Sequence, residues 1–339
     1  MYRCEGMNSS RRSSQLADEP RRPSPGRFED AIEQYRRELL VSCYQMLGSA
    51  HDAEDVVQET MLRAWRSRDA YDPDRASIRT WLHTIATNAS LTALKSRQRR
   101  PLPSTLVEPG DDAEQPLTPT FDVPWLQPIA TNRLDLGAHD PVVEVLRRGQ
   151  VRLAFCAALQ RLPARQRAAL VLCEVLDFTA AEAAEILATT VPATNSLLQR
   201  ARRVTGGLLA DDSAATTSAD DEELVERYTN AFMRADVPGL TALLANDAIL
   251  EMPPVPLWYR GAELYGKFMS RVYRLRGHRW KTVRTSANGQ PAFAAYALTD
   301  DAYQLHTLQV LSIANGLITR NVVFQHPDAF AELQLPHET

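Results

Sequence analysis

Cysteine is scarce and scattered. The 339 residues hold four, Cys4, Cys43, Cys156 and Cys173, at no spacing that would ligate a metal. The last three sit in apolar helical contexts and are expected as reduced core residues, which excludes a disulfide framework and a zinc module. No apolar run approaches the roughly 20 residues that span a bilayer, and the N-terminus lacks the apolar centre of a signal peptide. The expectation is a soluble, cytoplasmic chain without membrane, metal or cofactor. Residues 1–27 are also almost without large apolar groups, being rich in Arg, Ser and Pro up to Pro20-Arg-Arg-Pro-Ser-Pro-Gly26, so they cannot offset the entropy of ordering and read as a disordered tail.

Charge is plentiful but segregated, and the net value of -4 hides it. Asp52, Glu54, Asp55 and Glu59 crowd one short stretch without Lys or Arg, whereas Arg79, Lys95, Arg97, Arg99 and Arg100 lie where there is no carboxylate. The length fits two or three domains, each able to bury a core.

The stretch Phe178 to Arg203 reads as helix, tight turn, helix. Thr179 is placed to cap the first helix, with Glu182 completing a capping box, and Thr190 to cap the second, whose first turn tolerates Pro192. Apolar spacing buries Val191, Thr194, Leu197, Leu198 and Ala201. That leaves Ala193, Asn195, Ser196, Gln199, Arg200, Arg202 and Arg203 outside. Small polar groups in front and arginines behind suit a helix in a DNA major groove, reading base edges and holding phosphates. A helical hairpin with a basic rim fits the same residues.

Earlier in the chain, Phe28 to about Gly48 reads as one helix, and Asp52 to about Arg66 as a second with Asp52, Glu54, Asp55, Gln58 and Glu59 on its outer face. An acidic first turn favours the helix dipole, but Gln58 and Glu59 lie beyond it; a carboxylate face there can dock a basic partner. After a turn-forming loop, Ser77 caps a helix from Ile78 to about Arg99. Its outer set is Arg79, His83, Asn88, Lys95, Arg97, Arg99 and Arg100, suited to backbone phosphates and unpaired bases.

Asp52-Ala-Glu-Asp-Val-Val-Gln-Glu-Thr-Met-Leu62, Ile78-Arg-Thr-Trp-Leu-His-Thr-Ile-Ala-Thr-Asn88 and the helix-turn-helix ending Leu198-Gln-Arg-Ala-Arg202 resemble, in order and spacing, bacterial RNA polymerase sigma factors of the extracytoplasmic-function type. The resemblance implies a helical domain at 28–100 whose acidic helix binds the polymerase clamp. Its loop and helix from Tyr71 to Arg100 would read and help open the promoter -10 element around a flipped base. A second helical domain, 144–208, would bind the -35 element through the helix starting at Thr190, with Arg165-Gln-Arg167 in a part that also contacts the polymerase flap. The implied partners are core RNA polymerase, promoter DNA and an anti-sigma factor.

Residues 101–143, with seven prolines from Pro101 to Pro128, read as an extended linker in which the apolar Trp125-Leu-Gln-Pro128 must pack on something. A polar linker, 209–220, precedes a final domain at 221–335. There helices come first and strands follow: Asp247–Met252, Trp280–Ser286, Pro291–Leu298, Gln304–Ala314 and Leu317–Phe324. The expected whole is two all-α domains plus an α+β cone with an antiparallel sheet. The succession Asp247-Ala-Ile-Leu-Glu-Met-Pro-Pro254 and Trp258-Tyr-Arg-Gly261 is similar to SnoaL-like members of the nuclear transport factor 2-like fold. Glu251, Trp258, Tyr259, Tyr296 and His306 are its candidate ligand-pocket groups. The sigma reading makes the chain a non-enzymatic initiation factor with the cone as regulator; the alternative is a small-molecule-binding or catalytic cone fused to a DNA-binding module. No glycine-rich regulatory motif stands between the two parts.

Overall fold

The computed structural model describes residues 25–96, 99–134, 150–206 and 219–338. Gly48, at φ +70°, turns the chain out of one helix, and the Ser49 hydroxyl accepts from the Asp52 N–H at 3.2 Å to start the next. The expected helix from Phe28 is two, α1 (Pro25–Glu33) and α2 (Arg36–Leu47), followed by α3 (Ala50–Arg66) and α4 (Ile78–Ser96). Ser77 caps α4 by accepting from the Thr80 N–H at 3.1 Å.

Between the helical domains the linker contributes the short α5 (Thr131–Leu134). Next come α6 (Leu153–Gln160) and α7 (Ala164–Leu170), which runs on into a π turn over Val171–Val175. The helix-turn-helix is α8 (Ala180–Ile186) and α9 (Val191–Thr205). Its caps are those the sequence specifies: Thr179 and Glu182 form a reciprocal box, and Thr190 Oγ1 accepts from the Ala193 N–H at 3.3 Å.

The C-terminal part holds α10 (Ala219–Met233), α11 (Val237–Thr241), α12 (Ala262–Arg276) and α13 (Pro327–Glu332) around six strands. These are β1 (Leu244–Glu251), β2 (Trp258–Arg260), β3 (Trp280–Ala287), β4 (Gln290–Thr299), β5 (Ala302–Ala314) and β6 (Leu317–Phe324), in the order β2-β1-β6-β5-β4-β3. The sheet is mixed rather than antiparallel, because β1 pairs with β6 in parallel. After β2, helix α12 carries the chain across to the far edge, and the meander β3 to β6 then returns to lie beside β1 in the same direction.

The two faces of this sheet belong to different cores. Phe293, Leu311 and Val323 face the cone interior with Tyr228 and Met269. Val310, Val322 and Phe324 join a single apolar cluster with Leu39, Leu126 and Leu170 of the helical parts. The β3–β4 turn, Asn288-Gly289 with both φ values positive (56° and 64°), has the signature of a two-residue hairpin loop. Such tips are ordinarily exposed, yet Asn288 is 0 % exposed.

Candidate polymerase, promoter and ligand surfaces

On α3 the acidic set divides. Asp55, Gln58 and Glu59 are exposed, Glu59 holding Arg63 at 2.6 Å along the same helix. Asp52 and Glu54, expected on the same outer face, are engaged within the chain. Asp52 is buried and bound by Arg100 at 2.8 Å, and Glu54 pairs with Arg133 of the linker, which also holds Glu332 of α13 at 2.7 Å. Burial raises the Glu332 pKa against the pull of Arg133. The first turn of the acidic helix is therefore covered by the linker and the C-terminal helix.

Helix α4 divides as well. Asn88, Lys95 and Arg99 are exposed, Arg100 is committed to Asp52, and Arg97 lies outside the described residues. Arg79 and His83, expected to face out toward DNA, do not. The Glu38 carboxylate of α2 accepts from Arg79 Nε at 2.6 Å and from His83 Nε2 at 2.7 Å, with Glu38 and His83 almost wholly buried. Arg79 Nη2 continues to the Leu176 carbonyl at 2.6 Å, and its guanidinium lies 4.1 Å from the centre of the Phe178 ring, whose edge meets His83. Burial alone would raise the Glu38 pKa, but His83 and Arg79 outweigh it and hold the carboxyl below its usual range. Burial lowers His83, which is neutral at neutral pH. These two residues clamp the first helical domain to the base of the helix-turn-helix.

The loop before α4 forms a cavity of about 540 Å³ lined by Tyr71, Arg75, Trp81 and Thr84, with Glu185 of α8 at its edge. Tyr71 and Trp81 meet at 5.1 Å between centroids with their planes tilted by 39°. Such a walled aromatic recess can take a planar ring, and α8 stands beside its mouth.

On α9 the expected division holds in part: Thr194, Leu198 and Ala201 are buried and Leu197 is half-buried, but Val191, expected inside, is 40 % exposed because the first turn projects beyond the helices it packs on. Thr190, Asn195, Ser196, Gln199, Arg200 and Arg203 are exposed, with Ala193 half-buried. Arg202 instead pairs with Glu174 at 2.8 Å. Upstream, Arg167 is 2 % exposed, its guanidinium spent on the carbonyls of Met46 at the end of α2, Gln160 and Leu162. It ties the second helical domain to the first and offers nothing to an outside surface.

Of the five candidate pocket groups in the cone, only His306 lines its cavity of about 270 Å³. Glu251 is buried, pairs with Arg320 and accepts from the Ser104 N–H at 2.9 Å. Trp258 Nε1 donates to the Val107 carbonyl at 2.8 Å, Tyr259 to the Asp112 carbonyl at 3.1 Å, and Tyr296 to the Pro336 carbonyl at 3.0 Å. Three of the five are thus a binding face for the linker. Arg271 fastens it further through the carbonyls of Ala113 and Gln115, and Arg274 through Glu114 at 2.7 Å. Among the described residues no cluster of His, Cys, Asp and Glu could hold a metal ion.

Sequence reasoning missed the residue that joins all the parts. Asn288 Nδ2 donates to the Tyr44 hydroxyl of α2 at 2.8 Å and to the Val151 carbonyl at 2.7 Å. Its Oδ1 accepts from the Ile129 N–H of the linker at 3.0 Å. Next to it, Gln290 Oε1 accepts from the Leu153 N–H at 2.8 Å. The Asn-Gly pair between two strand-like runs signals the turn; no local pattern signals its burial.

Comparison with known proteins bears on all three parts. The family model for sigma-70 region 2 matches residues 31–100, that for sigma-70 region 4 residues 152–204, and that for the SnoaL-like domain residues 225–321. The ECF RNA polymerase sigma factor SigG of Mycobacterium tuberculosis (strain H37Rv) is 41 % identical over 322 residues, covering 94 % of this chain and 86 % of SigG. SigJ of the same organism is 32 % identical over 173 residues, covering 51 % of this chain and 48 % of SigJ. The crystal structure of M. tuberculosis SigJ shares the fold: TM-score 0.63 at 24 % identity, covering 91 % of this chain and 99 % of that one.

Proposed function

This chain belongs to the extracytoplasmic-function RNA polymerase sigma factors, and from that premise we propose that it initiates transcription by opening out of the arrangement described above. Helix α3 meets the polymerase through Asp55, Gln58 and Glu59. Asn88, Lys95 and Arg99, with the recess at Tyr71 and Trp81, meet the -10 element. Thr190, Asn195, Ser196, Gln199, Arg200 and Arg203 meet the -35 element.

The observation that carries the opening step is the 2.6 Å bond from Arg79 to the Leu176 carbonyl, which puts the two helical domains in contact. Promoter elements about 25 base pairs apart are separated by roughly 85 Å of duplex at 3.4 Å per step. Touching domains of this size have centres roughly 30 Å apart. Both elements can be engaged together only after the domains part, and the linker that must then span the gap is here fastened along the cone from Ser104 to Thr120. Its length suffices once released, since an extended chain reaches about 3.3 Å per residue.

The cone is accordingly a regulator that holds the linker and the junction, rather than a catalyst. Its cavity is lined by one histidine and no carboxylate, and Glu251 is neutralised by Arg320. In vitro transcription with core polymerase on genomic fragments tests the whole reading: initiation at discrete sites that depends on this chain supports it, and its absence with a folded protein refutes it.

A further inference from the structure

The cone cavity has an apolar wall and a polar floor. Phe232, Leu250, Met252, Phe268, Met269 and Trp280 supply much of the wall. The floor is a buried network in which Asn321 Nδ2 donates to the Tyr265 hydroxyl and to Gln309 Oε1, both at 2.7 Å, while the hydroxyls of Tyr265 and Tyr228 bond each other. Asn321 is 1 % exposed, and its carboxamide oxygen has no hydrogen-bond partner. A buried acceptor left unpaired is costly, and buried polar groups are otherwise almost always satisfied. The roof comes from outside the cone: Leu117 and Pro119 of the linker close over the cavity. They are held by Arg271 on Gln115 O and by the Thr120 N–H on Pro254 O.

We propose that this cavity is a binding site for a small, largely apolar molecule carrying a hydroxyl, which donates to Asn321 Oδ1 at the floor and packs beneath Leu117 and Pro119 at the roof. The volume, about 270 Å³, is close to the lower end for ligand pockets, roughly 300 Å³. The wall of Phe232, Leu250, Met252, Phe268, Met269 and Trp280 selects for an apolar body, and the unpaired oxygen selects for a donor. Because the linker completes the site, the ligand binds more tightly when the linker is down. By linkage it holds the linker down to the same degree. That regulatory consequence, unlike the binding itself, rests on the opening step proposed above.

The test is calorimetric titration of the full chain with β-naphthol and with its methyl ether, which has the same rings and no donor. Saturable binding of the naphthol, with the ether weaker by roughly tenfold, is expected. Equal binding of the two, binding of neither, or tighter binding of β-naphthoate, which would shift recognition to Arg271 and Arg276 at the rim, overturns it. Met269→Trp fills the cavity and should abolish binding while the melting temperature stays near the parent's; binding retained by that folded variant also overturns the assignment. Chymotryptic cleavage beside Leu117 should slow severalfold with naphthol bound. Saturable naphthol binding with unchanged cleavage keeps the pocket and refutes its hold on the linker.

Discussion

Asn288 donates to the Tyr44 hydroxyl at 2.8 Å across 244 residues of sequence, and the same carboxamide bonds Val151 and Ile129. A hairpin tip of the cone is therefore the point where both helical domains and the linker meet. Asn288→Gly keeps the left-handed backbone, φ +56°, and removes every side-chain bond. It should weaken docking by about 3 kcal/mol, since several buried groups lose partners together. Thermal unfolding is then expected to split into two transitions; a single unshifted transition would contradict the role given to this residue.

Glu38 holds the clamp between α4 and Phe178. Glu38→Gln removes the charge that Arg79 and His83 share, at a cost of about 2 kcal/mol given that Arg79 is partly exposed. The predicted outcome is a larger radius of gyration in solution scattering and stronger binding to -35 duplex DNA. Unchanged scattering and binding would show that the clamp contributes nothing.

The two halves of the acidic helix should respond differently. Reversing Asp55 and Glu59 to Lys leaves the fold intact, because both are exposed, and lowers affinity for core polymerase by tenfold or more. Asp52→Asn removes the carboxylate that Arg100 pairs with and should lower the melting temperature. Core binding unaffected by the double reversal would remove α3 from the polymerase interface.

On α9, Arg200→Ala and Arg203→Ala should each reduce the salt dependence of DNA binding by about one counterion, uniformly across sequences. Asn195→Ala and Gln199→Ala should change which sequences are preferred. A measured salt slope identical to the parent's in both arginine variants would place the helix elsewhere.

Burial, with the Arg276 guanidinium nearby, pushes His306 down to about 4 from an unfolded value near 6.5. The unfolded chain then binds the extra proton, so the stability is full above about pH 6.5 and falls as pH drops toward 4, on the order of 3 kcal/mol. His306→Gln should flatten the stability profile over that window. An unchanged acid limb would contradict the assignment.

Caps, turns and helix faces were legible because each is a local pattern. Thr179 with Glu182, Thr190 before Pro192, Ser77, and Thr194, Leu198 and Ala201 of α9 lie where the spacing puts them, while Val191 in its first turn does not. Arg79 and His83 were misplaced because their partners, Glu38 of α2 and Phe178 of the second helical domain, are distant in sequence, and hydrophobic period reveals neither a buried ion pair between helices nor a ring contact between domains. Trp125 and Leu126 announced that the linker packs: both are buried, Leu126 within the apolar cluster of the helical parts. The rest of its path along Glu251, Trp258 and Tyr259 was hidden, because those residues read equally well as pocket walls.

The parting of the helical domains is tested most directly by energy transfer between dyes at Asn88 and Gln199, two exposed positions on α4 and α9. In the free chain the pair should report the close arrangement, and on adding core polymerase and promoter DNA the separation should grow by tens of ångströms. A distance that stays the same in an actively initiating complex would contradict the account.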